Sequence, residues 1–215
     1  IDRLHTTAEC HHRIMVLEVI GREAGWIALE SAIAGGADIA LIPEIPFDIE
    51  KAAQKIEYRK SIGKPFSVVV VSEGAFPKDG HIVSKDERDN GSGVINSQLG
   101  GIGDIVAKEL EARTGLVARC TVLGYMQRGG TPTSYDRVLS TEYGSKAMEL
   151  ALEGKFGTLA VIRNNRLDSV SLEDVVGENK ELGAVQDGNL GNVKLVTMDH
   201  DLVRTARNVG ICLGD

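Results

Sequence analysis

The sequence predicts an α/β fold built on a parallel sheet, and three observations carry that expectation. Short β-rich runs alternate with helical patterns, the order that layers helices on a parallel sheet. Val68-Val69-Val70-Val71 shows no alternation of apolar and polar residues, as in a strand covered on both faces. Two strand-like runs lead into glycine and arginine just before a helical pattern. In open parallel sheets the ligand crevice lies at such strand ends.

Taken in order, strands are expected over Ile14–Val19, Asp38–Ile42, Phe66–Ser72, Val117–Leu123 and Thr158–Arg163. Helices are expected over Ala24–Ala34, Asp48–Arg59, Gln98–Arg113, Ser134–Leu152 and Leu172–Val176, with a last helical piece near Asp201–Asn208. Gly35-Gly36 and Gly115 read as helix stops. Asp48 has the side chain and position of an N-cap. Lys78 to Gly93 is poor in apolar residues and rich in glycine and charge, the composition of a surface loop or hairpin.

The 215 residues suffice to bury a full core, as one domain or two small ones. Hydrophobic residues at 42% and charged residues at 26% fit an ordinary globular chain. A net charge of −7 with no basic block argues against indiscriminate nucleic-acid binding, so the arginines matter by position. Cys10, Cys120 and Cys212 are far apart and lack metal spacing, which reads as reduced thiols and a cytoplasmic location. No apolar run approaches the ~18 residues of a membrane span.

The chemistry is expected at strand ends. Arg119 to Arg137 passes from a β-rich run through Gly124 into Arg128-Gly129-Gly130 and then to a helix start at Thr133 or Ser134. Glycines let the backbone approach a ligand, helix-end N–H groups point at an anion, and a guanidinium forks onto phosphate. Ile14–Val19 followed by Gly21-Arg22 repeats the logic, and together the two ends suggest a phosphorylated substrate. Glu73, after the four valines and Ser72, should emerge at the same rim as Arg22 and Arg128. There it either binds sugar hydroxyls or pairs with a neighbouring arginine. Arg13 and Arg119 stand nine residues before Arg22 and Arg128. A strand rises about 3.3 Å per residue, which puts the members of each pair roughly 20 Å apart. One phosphate cannot touch both, so Arg13 and Arg119 are either solvated strand-start charges or contacts to a site on another subunit.

Weaker signals were weighed alongside. Gly101-Ile102-Gly103 begins like a dinucleotide glycine pattern, but Val106 stands at the third glycine position. His11-His12, read as strand neighbours, face opposite ways and suit solvation or capping better than metal binding. Asp136-Arg137 is either a helix-surface pair or support for the Arg128 loop. No general base and no Mg²⁺ carboxylate cluster is visible.

Glu18-Val19-Ile20-Gly21-Arg22, Glu73-Gly74 and Leu123-Gly124-Tyr125-Met126-Gln127-Arg128-Gly129-Gly130 closely resemble the 6-phosphofructokinases. The similarity spans essentially the whole chain, which resembles the later part of such an enzyme. The Gly-Gly-Asp-Gly-Thr nucleotide and Mg²⁺ motif and the catalytic-aspartate segment of that family do not occur here. The resemblance implies a three-layer parallel-sheet (Rossmann-like) phosphofructokinase fold, incomplete in this chain. It implies a fructose 6-phosphate-binding α/β domain over 1–126, elements returning to the nucleotide domain over 127–200, and a tail over 201–215.

By the same resemblance, Ile20, Gly21 and Arg22 contact fructose 6-phosphate, and Arg22 also stabilises charge on the transferred phosphoryl group. Glu73 binds sugar hydroxyls and Arg128 the 6-phosphate. Arg13 and Arg119 reach the 6-phosphate of a neighbouring subunit. Tyr125 replaces the usual bacterial histidine. His5 stands where nucleotide-regulated enzymes carry an effector-site arginine, and Asp38 matches an acidic effector position with Lys64 alone nearby. Regulation by ADP or phosphoenolpyruvate is therefore not expected. Leu4 to Glu9 and Leu202 to Arg207 resemble the branch holding both ATP- and pyrophosphate-dependent enzymes.

The implied reaction transfers a phosphoryl group from ATP or pyrophosphate to the 1-hydroxyl of fructose 6-phosphate, in glycolysis, with Mg²⁺ shielding the donor. The expected assembly is a homodimer or homotetramer without nucleic-acid or membrane partners. This chain would supply the acceptor side and be inactive alone, with the metal ligands in the absent N-terminal part. The alternative is a non-catalytic sugar-phosphate-binding or assembly module.

Overall fold

The computed structural model describes residues 1–81, 84–89, 95–176, 185–186, 189–190 and 193–215. The chain forms two compact units, Ile1–Gln127 together with Val193–Asp215, and Arg128–Asn192.

The first unit is built on β1 (Ile14–Val19), β2 (Ile39–Leu41), β3 (Ser67–Ser72) and β6 (Ala118–Val122). They form a parallel sheet in the order β2-β3-β1-β6. β1, β2 and β3 are buried at every position. Their residues divide by period two, as a pleated strand requires. Met15, Leu17, Val19, Val68 and Val70 pack beneath α1 (Asp2–His11) and α2 (Trp26–Gly35). Ile14, Val16, Val69 and Val71 pack beneath α3 (Ile49–Ser61) and α4 (Ile102–Thr114). The unbroken valine run is thus explained: each face of β3 carries its own core, and each fully buried valine contributes about 1.5–3 kcal/mol.

Local chemistry sets most boundaries. The Asp48 carboxylate accepts the Glu50 amide at 2.9 Å and caps α3. α2 and α4 stop at Gly36 and Gly115, both in the left-handed conformation that glycine adopts without strain.

Several sequence expectations need correction. α1 was not foreseen, because its polar run buries only Ala8 and offers no apolar stripe. His11 ends that helix and His12 is its left-handed cap, so the pair does not lie on a strand. α4 starts at Ile102 and not Gln98, since Ile95–Leu99 (β5) pairs antiparallel with Ser84–Asp89 (β4) in a hairpin. Parts of the expected 78–93 loop, residues 82–83 and 90–93, lie outside the described residues.

In the second unit α5 (Ser134–Leu152) precedes β7 (Thr158–Arg163) and β8 (Arg166–Ser171), and α6 (Leu172–Val176) follows. Thr158–Arg163 is an arm of an antiparallel hairpin and not a strand of the parallel sheet. Its turn is Asn164-Asn165, both at positive φ, the geometry of a tight two-residue hairpin turn. That signal marks β8 in the sequence.

Val193–Asp215, read from sequence as a returning element and a tail, lies in the first unit. α7 (Asp201–Asn208) buries Val203 and Ala206 in the α1–α2 core. Beyond it, Cys212 bridges Ile39 in parallel, with the Ala40 amide on the Cys212 carbonyl and the Cys212 amide on the Asp38 carbonyl.

Asp38, 8% exposed, stands just before β2 and ion-pairs with Arg59 at 2.7 Å while accepting the Val68 amide at 2.9 Å. Burial raises its carboxyl above the ordinary 3.8, and the Val68 amide and Arg59 pull it back only in part. The folded state then binds this proton more tightly than the unfolded chain. The stability it lends is full below 3.8 and declines as pH rises through the raised value. Removing the cation should enlarge that decline. Arg59→Met is expected to lose about 3 kcal/mol at neutral pH, because it strands a buried charge. The loss should shrink under mildly acidic conditions, as urea denaturation at the two pH values would register.

Candidate functional site

The carboxyl end of β1 continues into Ile20–Gly25, and side chains from three other segments hold the amides of this loop. The Ile20 amide donates to Gln127 Oε1 at 2.8 Å. The Gly21 and Arg22 amides both donate to Glu73 Oε1, at 3.2 and 3.1 Å. The Gly25 amide donates to both oxygens of Glu44, at 2.9 and 3.1 Å. Within the loop the Ala24 amide closes a turn onto the Gly21 carbonyl.

Arg22 is exposed and sits at φ 48, an unusual conformation for a residue with a side chain. Glu73 reaches the loop because β3 runs beside β1 in register, Val19 opposite Ser72, and because the Glu73 amide donates to the Val19 carbonyl. Ile20, Gly21, Arg22 and Glu73 are therefore brought to one rim, as expected from their places after β1 and β3.

At three helix starts internal side chains take up some of the backbone amides. At α2 Glu44 takes the Gly25 amide. At α4 Glu18, 3% exposed, accepts the Gly101 amide at 3.1 Å and the Gly103 amide at 2.7 Å. At α5 a capping box closes the end: Thr133 accepts the Asp136 amide and Asp136 accepts the Thr133 amide. The Thr133 hydroxyl and amide hold the Asp136 carboxyl below the ordinary range. Asp136 is thus a cap. Gly101-Ile102-Gly103 serves the internal Glu18 carboxylate, and a Cβ on Gly103 would stand 2.6 Å from Cys120 Sγ. The amides of Gly25, Gly101, Gly103, Thr133 and Asp136 are thus taken within the fold.

The amino ends of the strands form a separate rim. Arg13, half-buried, immediately precedes β1, and Arg119 stands opposite Met15 in the β1–β6 register. Arg119 donates to its neighbour Ala118's carbonyl at 2.7 Å and lies 3.5 Å from Glu111. That pair is solvent-exposed and contributes little, so the guanidinium can be drawn to a stronger anion.

Tyr125, 84% exposed, and Arg128, exposed, lie on the 3-10 turn Gly124–Arg128 that follows β6. Of the effector-position residues, the His5 ring donates through Nε2 to the Gly35 carbonyl at 2.8 Å. Asp38 is committed to Arg59. Lys64 is exposed. The hollow between β1 and α2, about 340 Å³, is lined by Leu17, Val19, Ile27 and Leu123 with Gln127 at its edge. Its apolar walls do not suit a phosphate. No group of three His, Cys, Asp or Glu side chains among the described residues is spaced to hold a metal ion. No helix among them is long and apolar enough to cross a membrane.

Gln127, Glu44 and Glu18 were missed as organising residues. A signal existed for Glu44, which follows β2 as Glu73 follows β3. Gln127 lay inside the glycine-arginine motif, but its partner Ile20 is 107 residues away in sequence.

The phosphofructokinase family model matches residues 1–151, and the chain belongs to that family. It is 47% identical over 219 residues to ATP-dependent 6-phosphofructokinase 2 of Clostridium perfringens, covering 100% of this chain and 55% of that protein. It is 44% identical over 215 residues to the ATP-dependent 6-phosphofructokinase of Chloroflexus aggregans, covering 100% and 54%. The chain thus spans about half the length of the curated relatives it matches. Among solved structures, Saccharomyces cerevisiae phosphofructokinase superposes with TM-score 0.64 at 30% identity over 80% of this chain and 22% of that one. Pyrophosphate-dependent phosphofructokinase of Marinobacter aquaeolei superposes with TM-score 0.66 over 100% and 53%; its 20% identity supports the fold alone.

Gly74 tests the interlock of the two strand ends. A Cβ there would run into the carbonyl oxygen of Arg22, a backbone atom that cannot swing aside. Gly74→Ala should therefore displace the Arg22 loop and cost about 1–3 kcal/mol of stability, read as a lowered urea midpoint.

Proposed function

We propose that this chain carries the acceptor side of a 6-phosphofructokinase, which transfers a phosphoryl group to the 1-hydroxyl of fructose 6-phosphate. One observation carries the reading. Glu73 Oε1 holds the amides of Gly21 and Arg22, which fixes a carboxylate beside an exposed arginine at the strand-end rim. Among the described residues Glu73 Oε2 takes no hydrogen bond, and it would accept sugar hydroxyls. Arg128 binds the 6-phosphate, and the Tyr125 phenol donates a neutral hydrogen bond to it. Arg22 stabilises the charge that builds on the phosphoryl group in transit, the term on which such transfer depends most.

ATP is the donor favoured by the names of the two curated relatives given above, both more similar than the pyrophosphate-dependent structure. The described residues offer no fit for Mg²⁺. The metal and donor would be held outside them. The enzyme would work in glycolysis in the cytoplasm. Of the stretch 127–200 read from sequence as returning to the donor domain, residues 128–192 form the separate unit that would do so.

Arg13 and Arg119 complete the phosphate site of a neighbouring subunit in a homodimer or homotetramer. Their place at the rim opposite Arg22 supports this. A two-fold axis would bring one subunit's strand starts to the other's strand ends and form two equivalent sites.

In the active protein, Arg22→Ala should lower kcat by about 100-fold or more. Arg128→Ala should mainly weaken sugar-phosphate binding, by about 1.5–3 kcal/mol. Near wild-type kinetics in both variants, with ATP and with pyrophosphate, would sink the assignment. For the shared site, the measurement mixes two inactive variants, Arg13→Ala/Arg119→Ala and Arg22→Ala/Glu73→Ala, under conditions of subunit exchange. Some hybrids then contain a site made wholly of unmutated side chains, and activity should partly return. Proven exchange without recovery would count against sharing.

A further inference from the structure

We propose that Glu44 is a positioning residue for the acceptor site, acting through the backbone of Gly25 on the loop that carries Arg22. The inference rests on the assignment of Arg22 made above. Glu44, half-buried, emerges at the carboxyl end of β2. Besides the Gly25 amide it accepts the Val196 amide through Oε1 at 2.9 Å. One carboxylate therefore joins the end of β2, the start of α2 and the returning segment Val193–His200. Gly25 is fitted closely under it: a Cβ there would stand 2.8 Å from Glu44 Oε2.

The returning segment is fastened to α2 a second time. Trp26 Nε1 donates to the Lys194 carbonyl at 2.7 Å, the Trp26 ring meets His200 edge-on at 5.0 Å, and Lys194 Nζ lies 5.6 Å from the ring centre. Arg22 stands between two anchors, Gln127 and Glu73 on its amino side and Glu44 on its carboxyl side. Its left-handed backbone at φ 48 persists only because both ends of the loop are held. Releasing the Glu44 end lets the loop relax and turns the guanidinium away from the reacting group. The Glu73 carboxylate, which binds the sugar in that assignment, stays in place. The expected signature is a loss in kcat with little change in KM.

The test uses the catalytically active protein containing this chain, with fructose 6-phosphate and ATP. Glu44→Ala and Glu44→Asp should lower kcat about 10- to 100-fold while KM for the sugar phosphate moves less than about threefold. Glu44→Asp keeps the charge but is one carbon too short to reach both amides, and it decides the matter if Glu44→Ala does not fold. Glu44→Gln should restore most of the turnover, since its amide oxygen still accepts from Gly25 and Val196. In an Arg22→Ala background, Glu44→Asp should add less than about a twofold loss, because the effect it transmits is already gone.

An undiminished loss in that background, or a change confined to KM and thermal midpoint, would make Glu44 merely structural and overturn the inference. If Arg22→Ala alone leaves kcat unchanged, the acceptor-site assignment fails and this inference falls with it. A fall in kcat for Arg22→Ala without one for the Glu44 variants overturns this inference alone.

Discussion

Backbone N–H groups left over at strand ends and helix starts must find acceptors, and in this protein buried and half-buried carboxylates supply them. Glu18 takes the start of α4, Glu44 the start of α2, and Glu73 the turn after β1. Each bond joins segments far apart in sequence, from Glu44 and Gly25 at 19 residues to Glu18 and Gly103 at 85. Charge-assisted bonds of this kind are roughly twice as strong as neutral ones and leave a costly orphan when one partner is lost. The sheet positions the rim, but these carboxylates hold the rim's backbone in shape.

That constraint decides how an anion can be bound. Amides already committed to internal carboxylates are not free for an anion, which leaves exposed side chains such as Arg22 as the groups displayed there. Arg13 and Arg119 stand at the amino ends of the strands, on the rim opposite Arg22. The same economy appears at Asp38, whose carboxylate is committed to Arg59 and the Val68 amide. Asp38 and the His5 ring nitrogen bonded to Gly35 are thus occupied within the fold and not displayed to an effector.

Local sequence determined what local physics controls. The valine run determined a strand buried on both faces, Asp48 and the glycines at Gly36 and Gly115 determined helix limits, and the places of Glu73 and Arg22 after their strands determined that they share a rim. Tertiary structure decided what depends on distant partners. Gln98 belongs to a strand because β4 pairs with it, α1 exists because the α1–α2 face of the sheet needs a cover, and Thr158–Arg163 folds back on β8. Val193–Asp215 joins the first unit because α7 and Cys212 complete its core and its sheet edge. Above all, only the folded chain shows that the amides of Gly25, Gly101 and Gly103 are occupied. A glycine-rich turn looks the same in sequence whether its N–H groups face a ligand or a carboxylate many residues away, because the sequence records the donor and not its acceptor.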